Sequence, residues 1–499
     1  MAKQKEKKKE KSGPADDETG VPEDELVISK HSITIHGLTV HYTATAGRIV
    51  LKEEKEKKKK SAGEKARASI FFVAYTRDDI QDLENRPVTF SFNGGPGSSS
   101  VWMHLGLLGP RRVLLDEDGR PGSPPYRLEN NEFSLLDITD LVFIDPVSTG
   151  YSRAIAGEKP GEFHEFKKDI ESVGDFIRLF TSRYQRWGSP KFLIGESYGT
   201  TRAAGLAGYL QDRHGLYLNG LLLISSVLNF QTIRISSGND LPFILFLPTF
   251  AATAWYHGRL PADLQQELPQ TLAEVRAFAL GEYALALLQG DDLPAAERDQ
   301  IVQKLARYTA LEPDYIKRSN LRINIFRYVK ELLRDQRRTV GRLDSRFKGY
   351  DRDAAGEQVE YDPSHALLMG VFSATFNDYI RGELLYESDL PYEILANLWA
   401  SWRYEEHQNE YVDVSETLRK AMSQNPNLKV IMANGYYDLA TPYLATEYTV
   451  SHMQLEPELR GNISLTYYES GHMMYIHRPS LAALKNDLAK FIIAATASD

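Results

Sequence analysis

One stretch constrains this chain more than any other: the apolar run Phe192-Leu193-Ile194 ends in Gly195-Glu196-Ser197-Tyr198-Gly199, and a segment rich in small residues, Thr201 to Leu210, follows. A short buried strand that turns sharply into a helix has this form. A serine at such a turn has strained dihedrals and close backbone neighbours, so glycine at 195 and 199 relieves clashes while the hydroxyl projects from the sheet edge. The following helix aims its first amides and its dipole at negative charge developing nearby. The five-residue pattern alone recurs by chance, and the strand before it and helix after it carry the weight.

The rest of the chain supplies the sheet that such a turn needs. Val88 to Phe92 ends in Asn93-Gly94-Gly95-Pro96-Gly97, and Asp140 to Ile144 ends in Asp145-Pro146. Short, mostly apolar runs of this kind are parallel strands buried on both faces. Between Ile144 and Lys191, the stretch Glu162 to Tyr184 spaces Phe166, Ile170, Val173, Phe176, Ile177 and Phe180 as a helix does. The alternation predicts an α/β class, doubly wound and mostly parallel sheet with helices on both faces. Leu221 to Ser225 is a further strand. From about Asn229 to Tyr386 the spacing is mostly helical, clearest over Leu272 to Leu288 and Ala295 to Thr309. The α/β rhythm resumes with Val414 to Met422, Lys429 to Met432, Ile463 to Tyr467 and a closing helix, Ser480 to Ala495. This predicts a disordered charged tail over 1–25, one sheet domain over 26–228 and 387–499, and a helical cap inserted at 229–386. Ser32 to Ala44 and Ser69 to Thr76 predict a meander, with the charged run Lys52 to Lys60 as an exposed hairpin loop.

A chain of 499 residues, 42% hydrophobic and 25% charged, is long enough for a large core plus such an insertion. A net charge of -9 and a pI near 5.8 exclude a general nucleic-acid binder, which would carry a basic face. Peptides or small molecules are the expected partners. The absence of cysteine removes disulfides, thiol nucleophiles and cysteine-ligated zinc together. The lysine- and acid-rich start, Met1 to Glu25, has no apolar core of a secretory signal, and no later stretch reaches the roughly 18 apolar residues of a span. Leu241 to Ala254, interrupted by Pro242 and Pro248, reads as a buried or pocket-facing segment. No membrane partner and a cytoplasmic location are expected.

A nucleophilic serine needs a base, and the base needs an orienting carboxylate. In a sheet of this kind the acid and then the histidine follow the serine, each on a loop after a strand. Lys429 to Met432 leads to Asp438, and Ile463 to Tyr467 leads through Glu469-Ser470-Gly471 to His472. Asp378 and Asp145 compete for the acid, and His477 for the base. His477 directly precedes Arg478-Pro479 and reads as a surface or helix-start residue. The oxyanion would be held by the Tyr198 amide and by one from the glycine loop at Asn93 to Gly97.

Together these motifs resemble the serine carboxypeptidase family. Asn93-Gly94-Gly95-Pro96-Gly97-Ser98-Ser99, Gly195-Glu196-Ser197-Tyr198-Gly199 and Gly471-His472-Met473 are similar to its signature segments in order, and Ile144-Asp145-Pro146-Val147 with Gly150-Tyr151-Ser152 resembles a fourth. The resemblance implies an α/β-hydrolase fold with a helical cap, and hydrolysis of a peptide's C-terminal bond without metal or cofactor. It implies Ser197, Asp438 and His472 as the triad and Gly95 and Tyr198 as oxyanion donors. Asn93, Gly94 and Glu196 would bind substrate, with a protonated Glu196 and Asn93 holding its terminal carboxylate. One departure stands out: the family usually has a second acid two residues before the segment that here is Gly109-Pro110, and this chain has Leu107. The lack of cysteine also departs from disulfide-bearing eukaryotic members and suggests a bacterial branch. An esterase or acyltransferase uses the same triad and is the alternative; a binding protein without catalysis is a third reading.

Overall fold

In the computed structural model, which describes residues 23–57 and 60–497, the strands join one large sheet. β1 (Glu25–Ile35), β2 (Leu38–Lys57) and β3 (Lys60–Arg77) form an antiparallel meander. Then come β4 (Val88–Phe92), β5 (Asp140–Ile144), β6 (Lys191–Glu196), β7 (Gly220–Ile224), β8 (Lys429–Gly435) and β9 (Ile463–Tyr468). Their spatial order is β1-β2-β3-β5-β4-β6-β7-β8-β9. Every neighbouring pair from β5 to β9 is parallel, while β3 meets β5 antiparallel. After β4 the chain steps outward to β5, then returns to place β6 on the other side of β4. The connections therefore diverge between β4 and β6, the place where an open α/β sheet leaves a crevice at its carboxyl ends.

The helices are α1 (Phe166–Arg183), α2 (Tyr198–His214), α3 (Leu241–Tyr256), α4 (Leu268–Phe278), α5 (Ala295–Thr309), α6 (Pro363–Gly382), α7 (Ser415–Gln424) and α8 (Arg478–Thr496), with shorter turns between. Successive strand residues point to opposite faces. Phe192 and Ile194 join a cluster with Leu481, Leu484 and Leu488 of α8 and Val371 and Phe372 of α6. Leu193 joins the other cluster, with Val173, Phe176 and Phe180 of α1 and Leu418 and Met422 of α7. Both clusters run along the sheet, so the strand that carries the serine is clamped from above and below.

A third cluster runs from Phe243 to Val340 and takes only Leu439 from outside that range. α3 is buried almost throughout and stays helical across Pro248, because burial on all sides outweighs the lost backbone hydrogen bond. α6 belongs instead to the sheet's own core.

Two expectations are corrected. The run Lys52 to Lys60 is not a loop: β2 and β3 continue to Lys57↔Lys60 with two register shifts, so most of the charged run is a twisted two-stranded ribbon. Of the tail expected over 1–25, residues 1–22 lie outside those described; Asp24 accepts the Val50 amide at 2.8 Å and Glu25 already opens β1. Among the described residues no helix is long and apolar enough to cross a membrane.

Candidate active site

Ser197 sits where β6 turns into α2, with φ 59° and ψ -129°. A non-glycine residue there costs about 1–3 kcal/mol and must be held by its surroundings. Its amide donates to Ile224 O at 3.0 Å, and its carbonyl accepts from Thr200 N at 2.8 Å and Thr200 Oγ1 at 2.7 Å. The two flanking glycines are steric necessities. A Cβ on residue 195 would stand 2.2 Å from Gly199 O, and one on residue 199 would stand 2.8 Å from Phe92 O.

The loop after β4 meets this elbow directly. A Cβ on Gly94 would lie 2.5 Å from Tyr198 N and 2.6 Å from Gly199 N, so the loop backbone rests on the first amides of α2. Gly95 follows with φ 104°, a left-handed conformation that places the loop against the elbow at no side-chain cost. The contribution open to Tyr198 is its backbone, since its ring is buried under the Arg202 guanidinium at 5.3 Å.

At the ends of β8 and β9, Asp438 Oδ2 lies 2.7 Å from His472 Nδ1. Asp438 is fully buried and accepts three more bonds: Ala440 N at 2.7 Å, Thr441 N at 3.0 Å and Thr441 Oγ1 at 2.7 Å. The His472 carbonyl accepts from Ser225 Oγ, and its amide donates to Leu343 O, each at 2.6 Å. Burial pulls the His472 pKa down, but Asp438, and secondarily Glu196, outweigh it and the net shift is upward.

Ser197, His472, Asn93, Gly94, Gly95 and Glu196 line one cavity of about 600 Å³. The competing residues lie elsewhere. Asp378 is exposed on α6, Asp145 is buried against Ser100, and His477 directly precedes α8 with its Nδ1 2.8 Å from Ser480 Oγ. Among the described residues no group of three or more His, Cys, Asp or Glu is arranged to hold a metal ion.

Glu196 is nearly fully buried. Desolvation pushes its carboxyl up to about 7, opposed by the neighbouring His472 and by the hydroxyl of Tyr475, which donates to Oε2. Asn93 Oδ1 accepts the Met103 amide at 3.2 Å, while its Nδ2 is buried and makes no hydrogen bond of ordinary geometry. That amide is near enough to draw the Glu196 pKa down slightly. Leu107, where a second acid was expected, is buried in the apolar core and does not line the cavity. Burial, with a smaller contribution from the Asp438 charge, therefore does for Glu196 what an adjacent second acid would do.

Sequence reasoning missed Tyr475, Thr441 and Arg342, which also lines the cavity. Thr441 had a signal, since a hydroxyl three residues after a loop aspartate is a common side-chain to side-chain and backbone turn pattern. Tyr475 lies three residues past His472 on a short turn and could have been tested by proximity. Arg342 had none, being brought in from the insertion.

A strained serine on a strand-to-helix turn, faced by a buried Asp-His pair from the last two strands of a parallel sheet, defines a serine hydrolase with the α/β-hydrolase fold. Comparison with known proteins narrows this. The family model described as serine carboxypeptidase matches residues 60–474, and this chain belongs to that family. It is 23% identical to the lysosomal protective protein of Mus musculus over 82% of this chain and 81% of that protein. It is 32% identical to the pheromone-processing carboxypeptidase KEX1 of Saccharomyces cerevisiae, over only 31% of this chain and 20% of that protein. The crystal structure of a prohormone-processing carboxypeptidase from Saccharomyces cerevisiae shares the fold, with a TM-score of 0.55 at 16% identity, covering 90% of this chain and 91% of that one.

Proposed function

We propose that this protein removes residues one at a time from peptide C-termini through an acyl-enzyme on Ser197. Ser197 Oγ attacks the carbonyl carbon of the last peptide bond as its proton passes to His472 Nε2, while Asp438 holds Nδ1–H and stabilises the imidazolium. The amides of Gly95 and Tyr198 stabilise the oxyanion. His472 returns the proton to the leaving amine as the C–N bond breaks, and water then cleaves the acyl ester by the same route.

The observation that carries the exopeptidase reading is the pair beside Ser197: a buried carboxyl raised to about 7 and a buried amide nitrogen that reaches toward it without a hydrogen bond of ordinary geometry, both lining the cavity. A protonated Glu196 can donate to a carboxylate, and Asn93 Nδ2 gains there an acceptor of good geometry. Mass spectrometry of a peptide mixture should show single-residue losses from free C-termini, with C-terminally amidated peptides at least 10-fold slower. Ser197→Ala should lower turnover on the order of 10⁴-fold or more. Equal cleavage of free and amidated termini would favour the esterase or acyltransferase alternative, and activity persisting in Ser197→Ala would reject the nucleophile.

A further inference from the structure

The cavity contains a cation that the chemistry above does not use. Arg342 lies in the insertion, next to Leu343, whose carbonyl accepts the His472 amide. The backbone amides of Arg342 and Leu343 both donate to Asp362 Oδ2, each at 3.2 Å, and Asp362 Oδ1 accepts from Ser364 N at 3.0 Å. Asp362, which also lines the cavity, thus spends its acceptor positions on these amides and on Ser364 Oγ and makes no ion pair with the guanidinium. Among the described residues, the half-buried Arg342 guanidinium has no hydrogen bond and no carboxylate partner, although it lines the same cavity as Ser197 and His472.

A second unmet donor stands with it. His365, on α6, lines the cavity, and its Nε2 is buried without a partner. Burial pulls the His365 pKa down against the opposing Asp362 charge, with Arg342 adding to the fall, and the neutral ring can offer Nε2–H. A partly desolvated guanidinium beside a neutral imidazole donor matches a planar carboxylate, which accepts bidentate bonds from arginine.

We infer that Arg342, assisted by His365, is a specificity-determining site for a carboxylate of the peptide substrate. This rests on the cavity being the peptidase site proposed above. The carboxylate could be an acidic side chain next to the scissile bond or the chain terminus itself, and both demand the same donors. Unlike the single donor of a protonated Glu196, a guanidinium presents a planar fork of donors that matches a carboxylate in two places.

The test compares kcat/KM for blocked dipeptides carrying Glu or Gln at the penultimate position, Glu or Gln at the last position, and a free or amidated terminus, in the parent, Arg342→Gln and Arg342→Lys. The parent should favour one carboxylate-bearing substrate over its neutral isostere by about 10- to 100-fold, as for a charge-assisted hydrogen bond. Arg342→Gln should collapse the ratio for an acidic side chain to near one, or cut the ratio for a free terminus to the part that Glu196 and Asn93 sustain, and Arg342→Lys should restore some of the loss. The substrate pair whose ratio falls identifies the source of the carboxylate. If the parent cleaves peptides but no ratio moves in Arg342→Gln, this inference fails while the peptidase reading stands. If the parent cleaves no peptide, both fall. Because the guanidinium holds no other side chain, urea midpoints of the variants should match the parent, which separates lost recognition from lost folding.

Discussion

At the scale of single residues, Glu196 and His472 set the pH response together, because each acts on the other's charge. Peptide cleavage needs His472 neutral and Glu196 protonated. The first condition improves as pH rises through the raised histidine pKa, and the second is lost as pH rises through about 7. Peptidase activity should therefore peak in a narrow range and fall on the alkaline side, whereas an ester lacking a carboxylate should only gain with pH. Glu196→Gln supplies a permanent neutral donor, so it should flatten the alkaline fall for peptides. It also removes a charge that raises the His472 pKa, so the acid limb for esters should move to lower pH. Initial rates across the pH range for both substrates check this, and identical shifts in both profiles would remove Glu196 from carboxylate recognition. Ser197, Asp438 and His472 were legible in the sequence because their roles demand fixed chain order and strand-end positions. The protonation of Glu196 was implied only by the resemblance, and its cause was not legible, because it lies in how deeply the folded chain buries that carboxyl.

At the scale of elements, the histidine turn is fastened by a segment of the insertion. Arg346 Nη2 donates to Asp344 Oδ2 at 2.7 Å and to Ser470 Oγ at 3.1 Å, and Gly471 N donates to Asp344 Oδ2 at 3.2 Å. All of this is buried. Asp344→Ala should cost about 3–5 kcal/mol of stability by stranding the Arg346 charge. It should also lower kcat about 10-fold on peptides and esters alike with little change in KM, because the turn carrying His472 loosens. Replacing both members by leucine should recover much of the stability, read by urea denaturation, but not kcat, since Gly471 N still lacks its acceptor. A double variant with full kcat would reduce the clamp to a packing role. The strands and helices of the sheet domain were legible because periodicity and glycine turns are local signals. The clamp was not, because it joins residues more than a hundred positions apart, and the ribbon of β2 and β3 was misread because a charged run has no apolar period to report.

At the scale of the whole molecule, two buried acids tie stability to pH. Burial raises Glu196 from 4.5 to about 7 and Asp145 from 3.8 to about 6. Over those intervals the native state holds protons that the unfolded chain has released, so stability is greatest below the lower values and declines as pH rises through the higher ones. Glu196→Gln abolishes one of these contributions. At about pH 8 it should be more stable than the parent by about 1–3 kcal/mol, with the gap closing as pH falls from about 7 to 4.5. Urea midpoints at several pH values decide it, and a gap independent of pH would mean that the native carboxyl is not shifted. The general layout was legible at this scale, but how the insertion shares its surface with the sheet was not. One consequence concerns synthesis. The nucleophile and its elbow are placed by β4, β6 and β7, while the acid and base arrive only with the loops after β8 and β9. A chain still on the ribosome, lacking its final strand, carries an oriented serine with nothing to take its proton. The serine is thus inert until both loops are in place, and hydrolysis begins only once the last strand of the sheet has brought the base to it.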